Sequence, residues 1–405
     1  MKDIPVSILK PGMVFTEPVY IDEDNLLVPP GIAIKQKDLS RLAAWDIQSV
    51  QTNGGLAKTP ETLAAAVAKQ EHSKSYLEKT ALAAAKTAKM PEEAPNEFDA
   101  KEIQENKGSY RQYTALIQRL DRVFSHAATD IALDALVINE LTTQLLGAIR
   151  DERNQFVGYI LGGKVSGYDL AKSSINSAIL SALIAQELKL PPHKVMKIIT
   201  GAMLHDIGML RLPRDILAKR GGLSLEEVKL MRTHPLHTYR IISKELNYPD
   251  EVGHVALQHH ERWDGQGYPA GISGENIDIG ARILSVADAF EAMVSKKPYR
   301  NSMVGYEAMK ALMSDNQSRF DPDVLKAFIA IMGIYPIGSI VVLNDAAIAR
   351  VTEVQPGAPL RPCVQILIDK FGQKQSKGEI LNLLTDKTHF ISRALNPKEL
   401  VTKSA

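Results

Sequence analysis

The spacing of apolar residues predicts helices through the middle of the chain. Between residues 110 and 334 apolar side chains recur every three or four positions, as at Leu116, Leu120, Val123 and Phe124. Glycine and proline clusters interrupt this spacing and mark the ends of successive helices. We therefore predict an all-helical domain over 110–334 and a protein that is mainly α.

The two ends of the chain are typical of strands instead: the N-terminal part has short β-type runs separated by proline and glycine turns, and the C-terminal part has a period of two. The N-terminal pattern predicts a small α+β domain over residues 1–57, with strands near Val14 and over 19–21 and 47–52, and one helix over 37–44. The C-terminal pattern predicts a small β-rich appendage over 335–396, followed by a tail over 397–405. Its predicted strands are 339–343, 348–354, 364–368 and 380–384.

An Ala- and Lys-rich segment over 58–109 joins the first two domains. It has high helix propensity but few large apolar side chains to bury, and Pro91 and Pro95 interrupt it. The composition predicts a partly helical, solvated linker, with a coiled-coil partner surface as the alternative.

The overall composition excludes several classes of protein. The 48 Lys and Arg residues nearly balance the 47 Asp and Glu residues. The chain therefore lacks the overall positive charge of proteins that bind polymeric nucleic acids, and no such partner is expected. The single cysteine, Cys363, cannot form an internal disulfide. The N-terminus has no apolar signal segment, and no stretch approaches the roughly 18 apolar residues of a membrane span. A cytoplasmic protein without a membrane partner is the expectation.

Six of the ten histidines fall within residues 205–260, where an even distribution would place about one or two. Adjacent imidazoles repel one another when both are protonated, so this crowding needs a reason. Asp206 and Asp288 are each a lone carboxylate within an apolar segment that we read as a helix, the first of which ends near Gly208. Unpaired buried carboxylates are costly, whereas histidine and carboxylate together suit Zn, Mn or Fe. The pattern predicts a metal site.

The order of these residues resembles the HD-GYP family of phosphohydrolases. The elements that carry the resemblance are His205-Asp206, His234, the segment HHERWDGQGYP over 259–269, Asp288, and SKKPYR over 295–300. They cover roughly residues 160–330. The segment LKPGMVFTEPVY over 9–20 is similar to the small domain often found ahead of HD-GYP domains.

The resemblance implies a cyclic di-GMP phosphodiesterase that yields pGpG or GMP. A hydroxide bridging two divalent ions would attack the phosphodiester, and Fe or Mn is expected rather than Zn, with room for a third ion. Asp206 would bridge the ions, with Asp206 and His205 as catalytic residues. His234, His259 and His260 would hold one ion, and His205 and Asp288 its neighbour. His237 and His254 match no ligand position.

The GYP segment implies the substrate site. Tyr268, between Gly267 and Pro269, would stack on or hydrogen-bond to a base or ribose. Lys297 and Arg300 would pair with phosphate, unless they are solvated surface charges. Arg262 and Asp264 are expected to brace this loop.

Two positions depart from the family pattern. Ser173 stands where the family has a histidine ligand, and Met209 where it has a lysine. Asp169, one helical turn before Ser173, would compensate as a ligand, or is simply an acidic residue favoured in a first helical turn. The alternative function is therefore a catalytically impaired sensor of cyclic dinucleotides or a protein-interaction scaffold. A homodimer through the helices of 111–150, or a signalling partner, is also consistent with the sequence.

Overall fold

A computed structural model describes most of the chain outside the linker. The described residues are 2–21, 26–28, 32–44, 47–57, 107–129, 131–162, 169–219, 221–295, 305–314, 316–355, 357–375 and 378–395. They belong to two compact units, one over 95–339 and one that combines 1–94 with 340–405. The predicted linker lies outside the described residues up to 106.

The unit over 95–339 is helical, as predicted. Its helices are α2 (Lys107–Ala128), α3 (Ala135–Gly162), α4 (Asp169–Glu187), α5 (Pro192–Leu204), α6 (Arg214–Ala218), α7 (Leu225–Met231), α8 (His234–Arg240), α9 (Asp250–Leu257), α10 (Ile279–Val294), α11 (Gly305–Ser314), α12 (Asn316–Arg319) and α13 (Pro322–Met332). Short 3₁₀ turns over Ile207–Arg211 and Gly274–Asn276 and a π turn over Ile241–Glu245 link some of them.

Helix α4 lies at the centre of this unit. Apolar and small residues occupy all of its faces, so that Ser173 to Ala185 are buried without interruption. A helix that is apolar all round must be covered on every side. Helices α5 and α10 provide the largest part of this cover; His205 and Asp206 directly follow α5, and Asp288 lies on α10.

The N-terminal sheet contains β1 (Lys2–Pro5), β2 (Val19–Tyr20), β3 (Leu26–Val28) and β4 (Ser49–Thr52), with helix α1 (Gln36–Ala44). Its strand order is β1-β4-β2-β3, and all pairs are antiparallel. The predicted helix and closing strand are present. Strands β1 and β3 were not predicted, because each has only three or four residues and no clear alternation.

The C-terminal sheet has the order β8-β7-β6-β5-β9. Its strands are β5 (Ile340–Leu343), β6 (Ile348–Glu353), β7 (Cys363–Ile368), β8 (Ile380–Asn382) and β9 (Ile391–Leu395). The four predicted strands are confirmed. The fifth, β9, was missed because its apolar residues lie at its two ends rather than in alternation. In the parts of the chain that the structure describes, no helix is both long and apolar enough to cross a membrane.

Candidate metal centre and its cavity

Three of the predicted ligand histidines follow the C-terminal ends of helices. His205 comes directly after α5, His234 shortly after α7, and His259 shortly after α9. The prediction that the first helix continues to about Gly208 was wrong. It ends at Leu204, so Asp206 stands in the turn that follows.

Carbonyl groups at these helix ends set the orientation of the three imidazole rings. Nδ1 of His205 lies 2.7 Å from the Ala202 oxygen, Nδ1 of His234 lies 2.8 Å from that of Met231, and Nδ1 of His259 lies 2.6 Å from that of Ala256. The last carbonyls of a helix have no partner within the helix, so an imidazole N–H three residues later can satisfy one of them. Nδ1 then carries the proton and Nε2 presents its lone pair on the far side of the ring.

All three Nε2 atoms are buried and have no hydrogen-bond partner. A buried polar atom without a partner costs about 1–3 kcal/mol, so three such atoms around Asp206 need a partner. Metal-binding histidines characteristically donate their other ring N–H to a carbonyl or carboxylate, as these do. The residues present therefore fit a divalent metal ion.

Asp206 lies between the three rings. Its Oδ1 is 3.3 Å from Nε2 of His234 and 4.0 Å from Nε2 of His259, and its Oδ2 is 3.5 Å from Nε2 of His205. Asp288, on α10, lies beside the same histidine, with Oδ1 3.6 Å from Nε2 of His205. The two oxygens of Asp206 thus face different histidines.

The donor atoms form two groups in the described residues. His234, His259 and His260 form one, and His205, His259 and Asp288 form the other, with all donor atoms of a group within 4.8 Å of one another. The structure brings together every predicted ligand except Asp169, which is exposed at the start of α4 and belongs to neither group. Its role as a ligand stays a prediction.

His237 and His254 lie outside both groups. The ring of His254 stacks on that of Tyr239, with centroids 5.8 Å apart and planes within 9°. His237 is half-buried on α8. Only part of the histidine crowding in the sequence therefore belongs to the centre.

Gly208 allows α8 to approach the His205-Asp206 turn. A Cβ atom at this position would lie 2.3 Å from the carbonyl oxygen of His234 and 2.5 Å from the backbone nitrogen of Thr238. The Thr238 hydroxyl donates to the carbonyl of His205 and accepts from the N–H of Gly208, both at 2.9 Å. This contact fixes His234 beside Asp206.

His205 and the two carboxylates of the centre shift one another's pKa values. Burial alone would lower the pKa of His205, but Asp206 and Asp288 together raise it to about 9. Burial would raise the pKa of both carboxylates, yet His205 and its neighbours hold them below the usual range. Burial lowers the pKa of His260 to about 4. When no ion is bound, a second proton, on Nε2 of His205, thus provides positive charge beside the two carboxylates; a bound ion would instead face the Nε2 lone pair.

Ser173 forms a hydrogen bond to a buried carboxylate. Its hydroxyl donates to Oε2 of Glu291 at 2.5 Å, while Oε1 of Glu291 accepts from Asn176 at 3.2 Å and from Ser295 at 2.5 Å. Glu291 is fully buried on α10, one turn after Asp288. The sequence analysis missed it, although it is a further lone carboxylate in the same apolar helix.

A cavity of about 600 Å³ opens beside the centre. His259, His260 and Asp288 form part of its lining, and the GYP loop forms another part. The remaining wall is mostly apolar and comes from α10, α11 and the residue after α12, namely Ala289, Ala292, Met293, Ala311, Leu312 and Phe320. Candidate metal-binding side chains, a polar loop and an apolar wall therefore line the same cavity.

Hydrogen bonds from Glu261 hold the GYP loop in shape. The buried Glu261 carboxylate accepts the N–H groups of Ala270 at 2.6 Å and Gly271 at 3.1 Å. A Cβ atom at Gly267 would lie 2.4 Å from the backbone nitrogen of Arg262, so only glycine fits there. Tyr268, joined to Pro269 by a cis peptide bond, places its ring 4.7 Å from that of His260.

The charged residues around the loop differ partly from the prediction. Arg262 pairs with Asp264 through two hydrogen bonds of 3.0 and 2.8 Å, so the two are joined within the loop. Lys297 and Arg300 lie outside the described residues. Arg232 and Arg319 line the cavity and were not predicted. The position of Arg232 two residues before His234 is not by itself a signal, because an arginine at a helix end is usually a solvated charge.

Comparison with known proteins gives matches over both the helical domain and the C-terminal sheet. Residues 164–324 match the HD domain family, and residues 340–403 match a KOW domain associated with HD domains. The chain is 30% identical over 247 residues to a cyclic di-GMP phosphodiesterase of Borreliella burgdorferi, covering 60% of this chain and 65% of that protein. It is 32% identical over 261 residues to a cyclic di-GMP phosphodiesterase of Pseudomonas aeruginosa, covering 64% and 63%.

A third relative has a different substrate in its name. The chain is 31% identical over 159 residues to 3'3'-cGAMP-specific phosphodiesterase 3 of Vibrio cholerae, covering 39% of this chain and 34% of that protein. The chain thus spans less than two thirds of the length of these relatives. Together with the motifs and the helical core, the matches confirm the predicted family: the helical domain of this chain belongs to the HD-GYP family of HD domains.

Proposed function

We propose that this chain is a metal-dependent phosphodiesterase that hydrolyses cyclic di-GMP to pGpG or GMP. The observation that carries the proposal is the convergence of three buried, unpartnered Nε2 atoms on Asp206 beside the cavity. Relatives named as cyclic di-GMP phosphodiesterases support the substrate.

Two divalent ions, Fe or Mn rather than Zn, would supply a water of lowered pKa and neutralise charge on the phosphodiester. His234, His259 and His260 would hold one ion, and His205 and Asp288 the other. Because the two oxygens of Asp206 face different histidines, this carboxylate is suited to bridge the two groups. His259 belongs to the second donor group as well as to the first. A third ion would also be compatible with these donors.

The cavity would bind and orient the dinucleotide. Its volume lies within the range of about 300–1,000 Å³ that is usual for small-molecule sites. Burial raises the pKa of Tyr268, so its hydroxyl stays protonated at neutral pH and can donate to a base or ribose. The apolar wall from α10 and α11 would exclude water from the other side of the ligand.

The test is hydrolysis by purified protein loaded with Mn or with Fe under anaerobic conditions. Chromatography should show conversion of cyclic di-GMP to a linear product, and 3'3'-cGAMP run in parallel decides which dinucleotide is preferred. Asp206→Asn should abolish turnover. His193→Gln, which changes an exposed histidine on α5, is the matched control and should retain it. Absence of a linear product at full metal content would refute the proposal.

The bond between Ser173 and Glu291 favours a second candidate, a sensor that binds the dinucleotide without cleaving it. The Ser173 hydroxyl is already committed to Glu291 and stands where the family has a ligand. A sensor would bind cyclic di-GMP in calorimetry and return it unchanged. A Ser173→His/Met209→Lys variant should then gain hydrolysis. If it gains none, the two departures do not explain the inactivity.

A further inference from the structure

Arg232 lies against the ring of Tyr268 in the cavity. Its guanidinium carbon is 5.0 Å from the ring centroid, and the side chain is exposed at the C-terminal end of α7. Among the described residues, no carboxylate lies within ion-pair distance of it. By contrast, Arg262 is bonded to Asp264. Arg232 therefore offers its donors to a ligand.

Neighbouring aromatic rings, tilted by 30–40° to one another, connect this guanidinium to the metal centre. The ring of His259 is 3.8 Å from that of His260, which is 4.7 Å from that of Tyr268, and Arg232 lies over Tyr268. Planar groups in contact lose little freedom on binding a ligand, and a guanidinium on an aromatic face is held in its plane. This row of contacts places a positive charge at the edge of the cavity, two rings away from the metal-binding His259.

A cyclic dinucleotide has two phosphodiester groups, and only one can occupy the metal centre in a given cleavage. The other remains ionised inside the cavity and needs a cation. We propose that Arg232 binds this second, uncleaved phosphate through the paired N–H donors of its guanidinium. The inference rests on the proposed function and assigns the contact that selects a dinucleotide over a simple phosphodiester.

The test compares two substrates on the metal-loaded protein. Cyclic di-GMP carries the second phosphate, and bis(p-nitrophenyl) phosphate has only one phosphodiester. Arg232→Met should raise KM for cyclic di-GMP about tenfold or more and leave kcat within about twofold. It should leave kcat/KM for bis(p-nitrophenyl) phosphate unchanged. Arg232→Lys should recover part of the loss, because it restores charge but not the planar pair of donors.

Arg214→Met, at an exposed arginine of α6, is the matched control and should change neither substrate. Equal losses on both substrates in Arg232→Met would overturn the proposal, since Arg232 would then act through the loop or the metals. An unchanged KM for cyclic di-GMP would overturn it as well. If the wild type does not hydrolyse cyclic di-GMP, the proposed function fails separately. In that case, calorimetry measures the affinity of the wild type and of Arg232→Met for cyclic di-GMP. Equal affinities, or no binding to the wild type, would reject the contact between Arg232 and the second phosphate.

Discussion

Replacing Gly208 by alanine should separate α8 from the metal-binding turn. The added methyl group would meet the His234 carbonyl oxygen at 2.3 Å, the Thr238 nitrogen at 2.5 Å and the Thr238 hydroxyl at 2.6 Å. Real Cβ atoms essentially never approach other atoms within 3.0 Å, and two of these neighbours are backbone atoms. The helix itself therefore has to move.

The cost can be worked out from the contacts that this movement breaks. Overpacking a well-packed site costs about 1–3 kcal/mol. The two hydrogen bonds of the Thr238 hydroxyl, to His205 and from Gly208, contribute about 1 kcal/mol each. We expect Gly208→Ala to lower the free energy of unfolding by roughly 3–5 kcal/mol and Tm by roughly 6–20 °C. Since ligand distances tolerate only about 0.2 Å, the displaced His234 should also weaken metal binding tenfold or more.

Differential scanning calorimetry and elemental analysis of the same preparation provide the measurement. Gly147→Ala is the matched control, because a Cβ atom at Gly147 within α3 meets nothing within 4 Å. Alanine is favoured over glycine inside a helix, so this variant should be stabilised by up to about 1 kcal/mol. A Gly208→Ala protein that unfolds at the wild-type temperature and retains the wild-type metal content would refute the reasoning.

Three further predictions concern the centre and its loop. Removing metal with a chelator should lower Tm by roughly 5–10 °C relative to protein in a free metal concentration of about 100 times Kd. The shift should disappear in Asp206→Asn. A shift that persists in this variant would show that the metal binds elsewhere. The metal-free protein should be most stable near pH 6.5. The folded pKa of His205, about 9, lies above its unfolded value, so the stability that protonated His205 contributes is lost as pH rises towards 9. The folded pKa of His260, about 4, lies below its unfolded value, so stability is also lost as pH falls from 6.5 towards 4. Urea midpoints that stay constant from pH 4 to 9 would contradict this. Glu261→Ala leaves the N–H groups of the loop without their acceptor, and should weaken cyclic di-GMP binding about tenfold in calorimetry with the metal content unchanged.

The sequence could predict which residues form the centre but not how they are oriented. The crowding of histidines and the lone aspartates predicted a metal site, and the resemblance to the HD-GYP family selected its ligands, namely His205, Asp206, His234, His259, His260 and Asp288. The direction of each Nε2 atom depends on a carbonyl three residues earlier, and on whether a helix has already ended there. The sequence did not show that α5 ends at Leu204 rather than near Gly208. Apolar spacing continues through the 3₁₀ turn and therefore does not mark the end of the helix.

The cavity was predicted less completely than the centre. The GYP loop was identified through the resemblance to the HD-GYP family, and the structure supplies the physical reason for glycine at position 267. Arg232 was missed because an arginine at a helix end is usually a solvated charge, and only the fold places it over Tyr268. Neighbours brought together from distant parts of the chain have no local signature.

Ser173 shows why a missing ligand need not leave a gap in the structure. A histidine at this position would have to share the space with Glu291, a fully buried carboxylate that accepts three side-chain hydrogen bonds here. A buried carboxylate is tolerated only when such donors surround it, and hydrogen bonds to a charged group contribute about 1.5–3 kcal/mol each. Asn176 also accepts from Tyr113 on α2, which connects this network to a third helix. The serine is therefore part of a completed polar network that joins α2, α4 and α10, and a gain of hydrolysis in Ser173→His/Met209→Lys requires this network to rearrange around the new side chain.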